Sequence, residues 1–221
     1  MAIKRNKRPS FILEMDECND LLKLIKDKYE NEEDIINVHI KDVSLSEKQL
    51  NCLTFENVIL ENCSLKNCSM KKTSFQNVIF KSCDFSNCDF SDNWFNTCDF
   101  ISTKAVGTSF ADSKLTFMHF ENSNFKYANF TKSNFDNCEI IGSDMTETFF
   151  AQSKFKMLSL ANSKFIGTEF FKTSLNDIDF STCELQGIRV SETAEELRGA
   201  IVNTYQAADL AKLLGIVIKE D

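Results

Sequence analysis

Residues 82–100 read SCDFSNCDFSDNWFNTCDF, and residues 123–135 read SNFKYANFTKSNF. In both stretches a phenylalanine returns at every fifth position: Phe85, Phe90, Phe95 and Phe100, then Phe125, Phe130 and Phe135. The beat continues outward in both directions. From Ile40 to Val190 the 31 multiples of five hold 17 Phe, eight Leu, two Ile, two Met, one Val and one Ala. In a chain that is 43% hydrophobic, an unbroken run of this length has a chance probability on the order of 10⁻¹¹.

The residue two before each centre is mostly small, with Lys48 and Asn93 breaking the rule. Those slots carry Cys63, Cys68, Cys83, Cys88, Cys98, Cys138 and Cys183, with six Ser, six Thr, four Val and one Ala. Such side chains suit a tight interior corner, and they account for seven of the nine cysteines as small buried hydrophobes. Gly107, Gly142, Gly167 and Gly187 all stand two after a centre, and eight Asn share that slot. Both residue types tolerate turn dihedrals, so the chain is predicted to bend there. A helix would bury every third or fourth residue and a strand every second. A period of five with two inward residues fits a short, bent extended segment, four of which close a square.

This pattern resembles the pentapeptide-repeat family, whose signature is A(D/N)Lxx. The resemblance runs over residues 38–192 and implies an all-β solenoid, a right-handed quadrilateral β-helix of about eight coils. At the usual strand spacing of about 4.8 Å the rod would be about 37 Å long. Its two open ends need covers. Residues 1–37 are read as an N-terminal cap, with a short strand at Ser10–Leu13 and a helix capped by Asn19 or Asp20. Residues 193–221 are read as a C-terminal segment. It holds a short helix over ETAEELRG, a second helix TYQAADLAKLL capped by Asn203, and a strand over IVIKE. Tyr205, Ala207, Leu210, Ala211, Leu213, Leu214 and Ile216 are the candidate dimer interface. Covering the last coil is the competing role for that helix.

Searching for chemistry yields little. His39 and His119 each sit one before a centre, an outward slot, and are read as surface residues lying four coils apart. There is no Gly-rich phosphate loop, HExxH or GxSxG. Cys63/Cys83 and Cys68/Cys88 stack in pairs, but at different corners, which does not suit the tetrahedral convergence zinc requires. No Asp or Glu occupies an inward slot. The expectations are no enzyme activity, no cofactor and no metal. No segment approaches the ~20 apolar residues of a membrane span, and no signal peptide is read, so a cytoplasmic location with reduced thiols is expected.

A rod without a pocket acts by its surface. The C-terminal tail resembles that of the Qnr- and MfpA-type quinolone-resistance branch of the family, bacterial proteins that dimerise through their C-termini and bind DNA gyrase and topoisomerase IV. The resemblance implies a homodimer, a type II topoisomerase partner and DNA mimicry by an acidic face. The candidate face is Asp84, Asp89, Asp92, Asp99, Glu139, Asp144, Asp177, Asp179 and Glu184. Net charge is −8, which disfavours direct nucleic-acid binding. Residues 38–192 hold nineteen acids and fifteen bases, a net of −4, whereas about 37 Å of duplex carries about 22 negative charges. The alternative is a scaffolding module for another protein, docking through the outward apolar residues Trp94, Ile101, Val106, Phe117, Ile141, Phe149, Met157, Ile166 and Phe171.

Overall fold

The computed structural model describes residues 7–11 and 14–219. The chain winds as a parallel β-solenoid of about seven turns. Its long strands are β5 (Thr54–Glu61), β7 (Ser74–Lys81), β8 (Trp94–Ile101), β9 (Lys114–Glu121), β10 (Asn134–Ile141) and β11 (Lys154–Ala161), stacked in that order. The register advances by twenty residues per turn: Phe55 faces Phe75, Phe75 faces Phe95, and Phe95 faces Leu115. Short strands β1 (Asp16–Cys18), β2 (Ile35–Ile36) and β3 (Val38–Lys41) start the same sheet, and β4 (Ser44–Ser46) pairs with β6 (Ser64–Lys66).

The five-residue beat is the wall of this tube. Every residue two after a centre, from Glu32 to Asp177, has a positive φ, near +50 to +68°. Asn and Gly pay least for that left-handed conformation, which explains their enrichment at the bends. The centres point inward, and twelve phenylalanines, from Phe55 to Phe135, are almost wholly buried. Phe90, Phe110, Phe130, Phe150 and Phe170 form one ladder with ring centroids 4.8–5.6 Å apart. That interval is close to the strand spacing, so rings and backbone ladder stack in step.

The small slot has a second reason for its residue types. Its hydroxyl or thiol donates to the carbonyl of the centre twenty-three residues earlier, as in Thr103 to Phe80 (3.0 Å), Ser113 to Phe90 (3.0 Å) and Cys98 to Phe75 (3.4 Å). Each turn is thereby tied to the one below from inside. Size alone would admit Ala or Val; the donor makes Ser, Thr and Cys recur.

Both ends are covered. Helix α1 (Leu21–Glu30), capped by the Asp20 side chain, buries Leu21 and packs Leu24 and Ile25 on the core. The edge strand at this end is Asp16–Cys18, paired with β3. The expected strand at Ser10–Leu13 is absent from Ser10 and Phe11, and Ile12 and Leu13 lie outside the described residues. At the other end a 3₁₀ turn at Glu195–Leu197 leads to helix α2 (Thr204–Ala211), then a second 3₁₀ turn at Lys212–Leu214. Residues 216–219 form no strand, a correction to the reading of IVIKE: β-branched residues favour a strand only where a partner edge receives them.

Candidate functional site

The candidate acids do not share a face. Asp84, Asp144 and Glu184 stand in one column, where they alternate with lysines through the bridges Asp84–Lys104, Asp144–Lys164 and Lys164–Glu184. Asp89 lies on the next side. Asp99 and Glu139 flank His119 on a third. Six of the nine are ion-paired: Asp84 with Lys66, Asp89 with Lys71, Asp99 and Glu139 with Arg8, Asp144 with Lys126, and Glu184 with Lys164. Asp92, Asp177 and Asp179 have no cationic partner among the described residues.

Several of these acids serve the backbone. The carboxylates of Asp84, Asp89, Asp144 and Asp179 accept from the N–H two residues on, at 2.8–3.0 Å. This closes an Asx turn before each bend. Burial pushes the Asp84 and Asp89 carboxyls up, but the serine two residues on and a lysine outweigh it, and both end below the ordinary carboxylate value. Asn124 and Asn129 accept in the same way, so the Asp or Asn of the repeat is first a turn residue.

His119 overturns its surface reading: it is 1% exposed. The N-terminal arm crosses this side of the rod and covers it. Ser10 and Asn77 exchange two hydrogen bonds of 3.0 Å. Two residues earlier, the Arg8 guanidinium meets Asp99 at 3.1 Å, Glu121 at 3.6 Å and Glu139 at 3.7 Å. Beneath it His119 Nδ1 bonds Asp99 at 2.7 Å, while Nε2 lies 3.6 Å from a Glu139 carboxylate oxygen and has no hydrogen-bond partner among the described residues. Asp99 is therefore buried under this latch and presents no open acidic surface. His39 is half-buried and bonds Glu61 at 3.0 Å.

The C-terminal helix divides its labour. Gln206 and Leu210 face the last coil. Gln206 is buried and donates to the carbonyls of Phe180 (2.9 Å) and Cys183 (2.7 Å), and Leu210 packs on the core. Gln206 also completes a capping box with Asn203. Ala207 is exposed, outside the expected stripe with Leu210, and Ala211 is half-buried. Outward lie Tyr205 (87% exposed), Leu213, Leu214, Ile216, Val217 and Ile218. Of the nine outward apolar residues along the rod, only Trp94, Met157 and Phe171 are exposed. They stand in different columns; Phe171 lies under Lys172, and Phe149 under Arg189.

The nine cysteines are free thiols, seven of them buried. Burial pushes the Cys88, Cys98 and Cys138 thiols up to about 12, which keeps them protonated and unreactive. Among the described residues no group of three or more His, Cys, Asp or Glu is arranged to hold a metal, and no helix is long and apolar enough to cross a membrane.

Fold and periodicity together define a parallel β-solenoid built on a five-residue repeat. Residues 73–150 match the family described as the pentapeptide repeat region. Among solved structures, the chain is similar to full-length QnrB1, a plasmid-mediated fluoroquinolone resistance protein. Identity is 18%, over 80% of this chain and 100% of that one, with a TM-score of 0.35. It is also similar to HetL, a pentapeptide repeat protein involved in heterocyst differentiation regulation from the cyanobacterium Nostoc. There identity is 11%, over 84% and 97%, with a TM-score of 0.41. No curated protein matches the sequence.

Proposed function

We propose that this chain is a non-enzymatic binding rod that self-associates through its C-terminal end. One observation carries the reading. Of the fourteen large hydrophobic residues exposed among the described residues, seven (Ile201, Tyr205, Leu213, Leu214, Ile216, Val217 and Ile218) lie within the last described nineteen residues. The rest are scattered over the remaining chain. Concentrated apolar exposure marks a contact surface, whereas single exposed residues need no explanation. Since Gln206 and Leu210 already cover the coil, the outward residues of this end are left for another molecule, and a second copy is the simplest complement.

Light scattering tests it. The wild-type chain is expected at twice the monomer mass of 25.3 kDa, and Leu213→Asp/Leu214→Asp at the monomer mass. Leu210→Asp is a poor probe because it would also disturb the cap. A type II topoisomerase as the further partner rests on the repeat and tail resemblance alone, and the ion-paired, dispersed acids lend no charge argument to DNA mimicry. A gyrase supercoiling assay with and without a quinolone decides it; unchanged supercoiling and unchanged quinolone sensitivity would remove that partner and leave the scaffolding role. The localisation proposed with this reading is the cytoplasm, in keeping with nine free thiols.

A further inference from the structure

On the side of the rod built by the long strands, the residue one before each centre points outward. Ile59, Ile79 and Glu139 are half-buried in that slot and Ser159 is exposed. Asp99 and His119, between them, are almost wholly buried. A sunken patch therefore lies in the middle of an otherwise open face, and the N-terminal arm crosses it.

The arm is held there by two kinds of contact. The first takes an arginine. One terminal nitrogen of Arg8 meets Asp99 at 3.1 Å and Glu121 at 3.6 Å, and the other meets Glu139 at 3.7 Å. These carboxylates come from β8, β9 and β10, three successive turns. A planar fork spans all three, which the single ammonium of a lysine does not. The second contact takes backbone. The Asn77 carboxamide accepts the Ser10 N–H and donates to the Ser10 carbonyl, both at 3.0 Å. A bond to Asn57 at 2.7 Å holds that carboxamide in place. In these contacts only Arg8 uses its side chain. Pro9, between the two anchors, disfavours helical backbone at Arg8. The requirement is thus an arginine followed two residues later by extended backbone, and a segment of another protein can meet it.

The arm fills this seat incompletely. Three carboxylates surround one guanidinium, and two of the three contacts are longer than hydrogen bonds. His119 Nε2, buried beneath, lies 3.6 Å from the same Glu139 oxygen that faces Arg8 and bonds nothing among the described residues. A buried polar atom left unmet is costly and marks a site short of its best occupant. The arm is also tethered, since β1 fixes the chain again at Asp16. A free segment carries no such restraint. We propose that the side formed by Asn77, Asp99, His119, Glu121 and Glu139 is a docking site for an extended, arginine-bearing segment of a basic protein partner, and that the chain's own arm occupies it until that partner displaces it. The site is separate from the C-terminal end and does not depend on self-association.

Nuclear magnetic resonance of the full chain tests it, with the Asn77 side-chain amide and the His119 ring as reporters. The probe is the blocked peptide KRPSF, the sequence of residues 7–11. Arg8→Glu sets a fourth carboxylate against the seat and is expected to release the arm, shifting both reporters while the amides of β11 stay in place. The peptide should then return both reporters saturably toward their wild-type positions. The wild-type chain, whose arm competes at an effective concentration of about millimolar, should need at least about tenfold more peptide. A peptide with lysine in place of the arginine should bind Arg8→Glu at least about tenfold more weakly. Arg8→Ala, with no added repulsion, should follow Arg8→Glu. Reporters that stay at their wild-type positions in both variants would overturn the proposal, as would a peptide that moves neither reporter, acts on wild type and variants alike, or binds equally well with lysine. Each of those results leaves the arm a fixed strap.

Discussion

The side-chain amide of Gln206 reaches back twenty-six residues and donates to the carbonyl of Phe180 at 2.9 Å. Phe180 is the last phenylalanine rung, so this bond joins the cap to the top of the core. Gln206→Ala would leave the Cys183 carbonyl without its donor, take one of two donors from the Phe180 carbonyl, which keeps the Cys183 N–H at 2.8 Å, and lose the capping box. A loss of about 2–3 kcal/mol is expected. The urea midpoint measures it, and faster exchange of amides near Phe180 would place the damage at this end.

Phe110 sits in the middle of the longest ring ladder, in stacked contact with Phe90 and Phe130. Phe110→Ala is expected to cost about 3–5 kcal/mol, because the stacked coils cannot collapse into the gap. Phe171→Ala, on the outside, should change stability by less than about 0.5 kcal/mol. Equal effects in paired urea titrations would contradict the inward ladder.

Thr97 is a β-branched residue held at φ +58°. It follows Asn57 and Asn77 in the same column, and Asn77 donates to Asn57 across the turn at 2.7 Å. Thr97→Asn relieves the left-handed cost and extends the amide ladder. A gain of about 1 kcal/mol is expected in thermal or urea unfolding.

The buried thiols set an alkaline limit. Burial raises Cys98 and Cys138 to about 12, against about 8.5 in an unfolded chain. A raised folded value means stability is full below about pH 8.5 and is lost as pH climbs toward about 12. The urea midpoint should fall from about pH 9 upward, less steeply in Cys98→Ser/Cys138→Ser. In the native protein a thiol reagent should modify Cys52 and Cys18 well before the others, since only these two are not buried.

What could be read in advance follows from what the period encodes. Inward centres and bends at Asn and Gly were legible because every coil imposes the same demand on the same slot. The acids misled because an Asp before a bend looks the same whether it serves a partner or, as at Asp84 and Asp89, its own turn. His119 and Asp99 were legible as outward positions, but Arg8 pairs with Asp99 over His119 while Ser10 anchors the arm on Asn77, contacts with no period.

The central claim is that two rods join end to end through their C-terminal segments, and small-angle X-ray scattering of the wild-type chain tests it most directly. One rod of stacked coils measures about 37 Å before its caps. The account predicts a particle of twice 25.3 kDa with a maximum dimension of at least about 75 Å, reverting to the single rod in Leu213→Asp/Leu214→Asp. A dimer no longer than one capped rod, or a monomer at every concentration, would contradict it.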